Sequence, residues 1–361
     1  MPDIDPWGDV EAQDYGDKME KFGIDPVADE LLEQLPEVHR YLRRGIIYGH
    51  RDLDRVVDAV EHGEEFAMMT GLMPSGKFHF GHKMLADQMV YYQDLGAELY
   101  IAVADIEAYL TRDVSLEEAR EVAIDQYLAN YIALGLEPDN VNFYFQSEGS
   151  THYNTMSKLF AKNTTQNEVE AVYGDVSPGK ITAALTQVAD ILQPEFAENG
   201  GPKPVVVPVG TDQDPHIRLT RDIAARYPRQ EFVKPSSTYH KFMRGLQGGK
   251  MSSSKENSYI ALDEDVDSAL DKVDRAKTGG KQSVEEHREK GADLSEDIVY
   301  ELLAFHLVED DEELRRIKEA YSSGEMLSGE LKQIAKDRLR EFLEEHQSKR
   351  ADAAERVDAF L

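Results

Sequence analysis

Cysteine is absent from this 361-residue sequence, and tryptophan occurs only once. The lack of cysteine excludes disulfide bonds and zinc sites with thiolate ligands. Long apolar runs are also missing, so the sequence predicts no membrane-spanning helix. The acidic opening segment, MPDIDPWGDVEAQDYGDK, has no apolar stretch of the kind found in signal peptides. We therefore expect a cytoplasmic protein.

Basic charge is scarce as well. Seventy acidic residues against forty basic residues give a net charge of −30 at pH 7. Nucleic-acid binding proteins are usually basic, so composition alone favours a protein that avoids polyanions. However, the acidic residues are spread along the whole chain. This distribution favours adaptation to concentrated salt, where a Debye length of ~3 Å at 1 M screens the repulsion between carboxylates, and we expect a halophilic origin.

Hydrophobic patterning predicts an α/β fold. Short apolar runs at 66–73 and 204–209 predict buried strands, 99–104 predicts a further strand, and alternation predicts another at 141–145. Helical spacing occurs between and after them, at 81–94, 115–135 and 214–227. Strands that alternate with helices indicate a parallel sheet. After residue 262 the chain is helical and highly charged, with predicted helices at 299–307, 311–321, 328–347 and 351–361. We expect an N-terminal extension at 1–63, a Rossmann-like catalytic domain at 64–261 and an α-helical domain at 262–361.

Residues 70–82 carry two imidazoles where a predicted strand gives way to a helix. Glycines in this segment allow close approach of the backbone to a ligand, and the start of a helix attracts anions through its N–H groups and dipole. The segment predicts a phosphate site, although turn histidines without a function are the structural alternative. The predicted contacts are Thr70, Gly71, Pro74, Ser75, His79, Gly81 and His82.

A second donor-rich segment, Lys250-Met251-Ser252-Ser253-Ser254, follows Gly248 and Gly249 far downstream. An ammonium group and hydroxyl groups bind phosphate oxygens. A closing loop can also supply a cation to the charge that develops during nucleotidyl transfer. Alone, the segment is equally typical of a solvated turn. Paired with residues 70–82 on either side of an α/β pattern, it predicts an ATP site.

A third segment, residues 209–216, ends a predicted buried strand and opens a helix. In α/β folds, ligands bind at the carboxyl edge of the sheet. We expect Gly210 and Asp212 to contact ATP, with Asp212 accepting from a ribose hydroxyl, and Gln213 to bind the amino acid. The alternative is that Thr211 or Asp212 only caps the helix.

Together these segments resemble the two signatures of class I aminoacyl-tRNA synthetases, and the chain is similar to the archaeal and eukaryotic tryptophanyl-tRNA synthetases. The resemblance implies a homodimer, a substrate pair of tryptophan and tRNA(Trp), use of ATP with Mg²⁺, and a C-terminal helical domain that reads the anticodon. It extends over nearly the whole chain. Its marks are Asp5-Pro6-Trp7, Arg43-Arg44-Gly45, Gly49-His50-Arg51-Asp52, Pro74-Ser75-Gly76, His79-Phe80-Gly81-His82, and residues 211–215, 219–222, 246–254, 285–288 and 326–332.

The resemblance implies roles for individual residues. His79 and His82 would contact the ATP phosphates, Lys250 would stabilise the transition state, and Ser252 would assist. The family signature has a second lysine where this chain has Ser253, which places more weight on Lys250 and on Lys255. The resemblance also implies that Met251, Ser252 and Ser253 contact ATP, and that Glu107, Gln187 and Gln213 hold the amino and carboxylate ends of the amino acid.

The side-chain pocket departs from the eukaryotic pattern. A tyrosine and a glutamine that contact the indole N–H there are replaced here by Met69 and Ala102, and neither can accept a hydrogen bond. Residues 188–192 resemble a bacterial tryptophanyl motif, so we expect Asp190 to accept from the indole and Met69 to line the pocket. A structural role for Asp190 is the alternative, because an unpaired carboxylate is rarely buried.

Three other functions fit part of the pattern. A tyrosyl-tRNA synthetase shares the fold and an aspartate at this position, but usually has tyrosine where this chain has Met69. A catalytically silent synthetase-like binding protein would be indicated by loss of either histidine or of Lys250, and all three are present. A nucleotidylyltransferase for a small metabolite would normally lack a helical C-terminal domain.

Overall fold

The structure is a computed structural model that describes residues 15–112, 114–174, 176–249, 251 and 256–361. Asp5-Pro6-Trp7 lies outside the described residues, as do Lys250 and residues 252–255 of the lysine–serine loop.

The chain forms two compact units. The first comprises residues 1–75, 87–241 and 356–361, and the second comprises residues 76–86 and 242–355. The segment expected to be an N-terminal extension therefore belongs to the first unit, and the histidine-bearing segment groups with the C-terminal residues. The domain boundaries given above stay predictions.

A seven-stranded sheet organises the first unit. Its strands are β1 (Asp25–Pro26), β2 (Ile47–Arg51), β3 (Ala67–Leu72), β4 (Glu98–Val103), β5 (Val141–Phe145), β6 (Val205–Val209) and β7 (Ser236–His240). Their spatial order is β1-β2-β7-β6-β3-β4-β5. The five strands from β7 to β5 are parallel, whereas β1 and β2 join antiparallel. This confirms the Rossmann-like parallel sheet.

Strand order reverses between β3 and β6, because the chain continues from β3 outward to β4 and β5 and later returns to β6. In open parallel sheets such a switch point leaves a crevice at the carboxyl ends of the strands, where ligands bind. The loops after β3, β4, β5 and β6 are therefore the positions from which side chains of this unit can reach a ligand.

Twelve α-helices among the described residues lie between and around the strands along the chain. They are α1 (Tyr15–Phe22), α2 (Asp29–Leu32), α3 (Arg40–Arg43), α4 (Asp54–His62), α5 (Phe80–Asp94), α6 (Asp105–Arg112), α7 (Leu116–Val122), α8 (Ala129–Ala133), α9 (Thr151–Phe160), α10 (Gln166–Tyr173), α11 (Pro178–Leu192) and α12 (Asp214–Arg226). A π-helical segment, Ala123–Leu128, joins α7 to α8. Buried side chains of α9, α11 and α12, among them Phe160, Val188 and Ile223, form one core cluster.

Helices make up the rest of the second unit: α13 (Val266–Arg275), α14 (Val284–Lys290), α15 (Ile298–Leu302), α16 (Asp311–Ser322) and α17 (Ser328–Ala353), with a π-helical segment at Leu303–Leu307. Leu331, Ala335, Leu339 and Leu343 of α17 are fully buried at helical spacing. The separate helix predicted at 351–361 is wrong: α17 continues to Ala353, and a 3₁₀ turn follows at Val357–Ala359.

Two of the family marks meet in this unit. The His287 ring bonds the Met326 carbonyl through Nε2 at 2.9 Å, and Arg288 donates to the Gly324 carbonyl at 2.9 Å. The mark at 285–288 thus fixes the loop that leads into α17.

Among the described residues, no helix combines the length and apolar content needed to cross a bilayer.

Candidate active site

His79 and His82 form a compact pair in the second unit, where α5 begins. The backbone N–H of Gly81 donates to His79 Nδ1 at 3.1 Å, and the N–H of His79 donates to His82 Nδ1 at 3.2 Å. The two rings stack with centroids 3.9 Å apart. Because each Nδ1 accepts a hydrogen bond, each ring carries its proton on Nε2.

Both imidazoles are neutral at physiological pH. Burial lowers the pKa of His79 to about 4. Burial, with a smaller contribution from His79, lowers the pKa of His82 well below its ordinary value. Each ring therefore offers an N–H donor to an anion instead of a full positive charge, next to the positive end of the α5 dipole. This arrangement suits phosphate oxygens.

Gly81 is required by this packing. A Cβ atom at this position would lie 2.9 Å from His79 Cε1 and 3.6 Å from the sulfur of Met251. The structure thus brings His79, Gly81, His82 and Met251 together within the second unit. The predicted residues Lys250, Ser252 and Ser253 lie outside the described residues.

The end of β3 and the loop after it carry four of the predicted ATP contacts of the first unit. Thr70 and Pro74 are buried, Ser75 is half-buried and Gly71 is exposed. The hydroxyl of Tyr127, in the π-helical segment, donates to the Ser75 carbonyl at 2.9 Å. The loop is therefore held from a neighbouring helix, which the sequence did not indicate.

The loop after β6 forms a 3₁₀ turn, Thr211–Gln213, before α12 begins. Gly210 and Asp212 are buried and Gln213 is half-buried. The N-cap residue of α12 is Gln213, and its side chain makes no capping hydrogen bond. The next residue carries the structural role instead: the Asp214 carboxylate lies 2.9 Å from the Arg51 guanidinium and accepts from the Tyr239 hydroxyl at 2.5 Å.

Asp190 lies on α11 at the centre of a buried hydrogen-bond network. Its Oδ1 accepts from the Tyr144 hydroxyl at 2.9 Å and from the Tyr153 hydroxyl at 2.6 Å. Its Oδ2 accepts from Gln146 Nε2 at 2.7 Å. The network joins β5, α9 and α11, so it fixes the Asp190 carboxyl group in position.

Burial dominates the electrostatics of this network. It raises the pKa of Asp190 to about 6, although the three hydrogen bonds favour the charged form, and Glu107 raises the pKa further by repulsion. Burial and the charge of Asp190 also raise the pKa values of Tyr144 and Tyr153 well above the ordinary range. Both tyrosines are therefore hydrogen-bond donors, and Asp190 is an acceptor above about pH 6.

The other predicted amino-acid contacts surround this network in the first unit. Met69 is buried against Ala102 and Ile191 on the face of the sheet that α11 covers. Gln187 of α11 and Glu107 of α6 are half-buried. The electrostatic effect of Glu107 on Asp190 shows that these two acidic groups share one neighbourhood.

Comparison with known proteins agrees with these features. Residues 61–344 match the class I tRNA synthetase family for tryptophan and tyrosine. A tryptophan–tRNA ligase of Methanocaldococcus jannaschii is 46% identical over 360 residues, which cover 98% of this chain and 97% of that protein. The chain belongs to the archaeal-type class I tryptophanyl-tRNA synthetases.

Solved structures of this family have the same fold. The crystal structure of tryptophanyl-tRNA synthetase from Aeropyrum pernix has a TM-score of 0.93 and 45% identity, and the match covers 99% of this chain and 98% of that chain. A tryptophanyl-tRNA synthetase from Encephalitozoon cuniculi bound to tryptophan has a TM-score of 0.85 and 28% identity, with 97% and 98% covered. Membership of the tryptophanyl branch disfavours the tyrosyl alternative.

Sequence reasoning missed the partners of Asp190. Tyr144, Gln146 and Tyr153 lie on β5, in the turn that follows it and on α9, and nothing in their spacing connects them to α11. The available signal was indirect: a buried carboxylate requires donors, and β5 carries aromatic residues where it reaches the carboxyl edge of the sheet.

Proposed function

We propose that this protein activates tryptophan with ATP and then attaches it to tRNA, as the name tryptophan–tRNA ligase says of its relatives. In the first step, a carboxylate oxygen of tryptophan attacks the α-phosphorus of ATP, and the bond to the β-phosphate breaks to release pyrophosphate. In the second step, the terminal ribose 2′-hydroxyl of tRNA attacks the carbonyl carbon of the adenylate and releases AMP.

The neutral histidine pair is the observation that carries this proposal. Two Nε2–H donors at the start of a 15-residue helix offer hydrogen bonds and a positive dipole end to phosphate oxygens. We assign His79 and His82 to the phosphates, Thr70, Gly71, Pro74, Ser75, Gly81, Gly210, Asp212 and Met251 to ATP, and Lys250 with Ser252 and Ser253 to the leaving pyrophosphate. Catalysis then rests on positioning and charge stabilisation.

The proposed amino-acid contacts lie in the first unit. Glu107, Gln187 and Gln213 hold the amino and carboxylate ends of tryptophan. Met69 lines the side-chain pocket, and Asp190 takes part in recognising the indole N–H group. The half-buried state of the first three supports this assignment, because each keeps surface that a ligand can reach.

Mg²⁺ is proposed as part of the nucleotide substrate. Within the part of the chain that the structure describes, no three His, Asp or Glu side chains are grouped so that they could hold a metal ion. These residues therefore do not fit a dedicated metal site. We propose that the ion arrives with ATP, with phosphate oxygens and water as its ligands, and we assign no residue to it.

The partners and setting are also proposals. We propose a cytoplasmic homodimer whose helical C-terminal region reads the anticodon, and a protein that works in high salt. Arg43, Arg44 and Lys332 are the candidate contacts to tRNA phosphates. Lys332 already donates to the Asp274 carbonyl at 2.6 Å, so contact with tRNA would have to compete with this bond.

Amino-acid-dependent exchange of pyrophosphate into ATP tests the function. All twenty amino acids are supplied separately at low and at molar KCl, and tryptophan alone should support exchange. Exchange with tyrosine would indicate a tyrosyl-tRNA synthetase. A folded protein that shows no exchange with any amino acid would indicate a binding protein without catalysis.

A further inference from the structure

The Asp190 network contains one residue that keeps exposed surface. Asp190, Tyr153 and Gln146 have exposed fractions of 2%, 1% and 3%. Tyr144 alone is half-buried, although the surrounding protein desolvates its hydroxyl strongly enough to raise its pKa. Tyr144 is therefore the member of the network with surface left for a ligand to contact.

The sheet places Tyr144 in line with two small residues. Tyr144 pairs in register with Ala102 on β4, and Ala102 pairs with Gly71 on β3. Small residues therefore extend across the sheet from the tyrosine. Gly71 is exposed, and a Cβ atom there would come no nearer than 3.8 Å to its one neighbour, the Ala102 carbonyl oxygen. The two positions in line with Tyr144 therefore carry no side chain larger than a methyl group.

The chemistry of the Tyr144 hydroxyl is fixed by its partner. Its single proton is donated to Asp190 Oδ1, and an ionised carboxylate cannot return one. The hydroxyl oxygen consequently faces any ligand as an acceptor. Asp190 Oδ1 already accepts from two hydroxyl groups and Oδ2 accepts from Gln146 Nε2, so the carboxylate keeps one lone-pair site, on Oδ2.

We propose that Tyr144 accepts the hydrogen bond from the indole N–H of tryptophan, and that Asp190 is a positioning residue that holds the tyrosine hydroxyl in the accepting orientation. This inference rests on the proposed function and names the specificity-determining residue of that site. It also explains how the chain recognises an N–H group with Met69 and Ala102 at positions where no hydrogen bond can be accepted.

Tyr153 provides a matched control. Tyr144→Phe and Tyr153→Phe each remove one hydroxyl donor from the same carboxylate oxygen, and each leaves an aromatic ring of the same size. Only the first change is made in a tyrosine that keeps exposed surface. A role confined to holding Asp190 would therefore affect both variants alike, whereas contact with the indole would affect Tyr144→Phe alone.

The experiment measures kcat/KM in pyrophosphate exchange for tryptophan and for its benzothiophene analogue, in which sulfur replaces the N–H group. The ratio of the two values for one enzyme sample does not depend on how much of that sample is folded. The parent should prefer tryptophan about ten- to a hundredfold, as expected for one hydrogen bond to a buried acceptor. Tyr144→Phe should reduce the preference to within twofold, and Tyr153→Phe should keep it.

Each other outcome overturns the inference in a distinct way. The preference for tryptophan could be the same in Tyr144→Phe and the parent, or it could fall equally in both variants. Either result would show that the indole N–H group is bound elsewhere in the network. A parent enzyme that uses tryptophan and the benzothiophene analogue equally well would show that the N–H group does not contribute to recognition. A parent that shows no tryptophan-dependent exchange would refute the proposed function itself, independently of Tyr144.

Discussion

The buried carboxyl group of Asp190 links folding stability to pH. Burial raises its pKa from 3.8 to about 6. Because the folded pKa lies above the unfolded pKa, the stability contributed by the bound proton is complete below pH 3.8 and is lost as the pH rises through about 6. Each pH unit in this window changes the free energy of unfolding by about 1.4 kcal/mol, which gives about 3 kcal/mol in total.

Asp190→Asn should remove this dependence while keeping the network. The amide oxygen can accept from both tyrosine hydroxyls. The amide nitrogen then faces Gln146, whose Oε1 is buried and accepts no hydrogen bond from the described residues. A flip of the Gln146 amide lets that oxygen accept from Asn, so all three hydrogen bonds survive. Asp190→Ala would instead leave three buried donors unpaired, at a cost of about 1–3 kcal/mol for each.

The assay is urea unfolding, followed by circular dichroism in molar KCl, of the parent and of Asp190→Asn across this pH range. The two proteins share all other ionisable groups, so the contributions of those groups to the pH dependence cancel in the difference between the two free energies of unfolding. We expect this difference to move in favour of the Asn variant by about 3 kcal/mol as the pH rises from about 4 to above 6. A difference that stays constant over this range would refute the raised pKa and the reasoning built on it.

Four further outcomes are expected. Gly81→Ala should lower kcat/KM for ATP about ten- to a hundredfold in pyrophosphate exchange, because the added Cβ at 2.9 Å displaces the His79 ring; an unchanged value would remove that ring from phosphate binding. Lys250→Ala should lower kcat far more than it raises KM for tryptophan, since its contact forms mainly in the transition state; exchange within twofold of the parent would contradict this role. Glu195→Gln should stabilise the protein increasingly as the pH rises from 4.5 to about 8, because burial raises the pKa of Glu195 to about 8; urea unfolding at several pH values checks this, and a flat difference would count against it. Aminoacylation should rise with KCl toward the molar range, because a chain at −30 repels tRNA at low salt; maximal charging in dilute buffer would leave the acidic surface without its proposed explanation.

Four of the five parallel strands could be predicted from the sequence, because β3, β4 and β6 are largely buried and apolar and β5 alternates. The bounds of β5 agree with the prediction. β7 could not be found in this way, because its sequence, Ser-Ser-Thr-Tyr-His, is polar although nearly all of it is buried. Two of its serine hydroxyl groups find partners: Ser236 donates to the Asp52 carbonyl at 2.6 Å, and Ser237 donates to the Tyr239 hydroxyl at 3.0 Å.

The candidate site likewise has one part that could be predicted from the sequence and one part that could not. The two histidines could be predicted because the segment around them is contiguous, and one helix start determines their mutual geometry. The surroundings of Asp190 could not, because its three partners come from β5, the turn after it and α9. Hydrophobic periodicity reports which face of an element is buried, but it does not report which distant side chains a buried carboxylate will meet.

The histidine pair also bears on how the protein is synthesised. His79 forms an isolated antiparallel bridge with Ala261, and the N–H of Leu262 donates to the Phe78 carbonyl at 3.0 Å. The segment that carries the histidines therefore completes its packing only after the ribosome has delivered residues from far later in the chain. Closing so long a loop costs entropy that early contacts cannot offset. A nascent chain that ends before Ala261 contains the sequences of β3, β4 and β5, yet it lacks the backbone partners of the segment that carries His79 and His82, so a prematurely terminated fragment cannot complete the packing of the histidine pair.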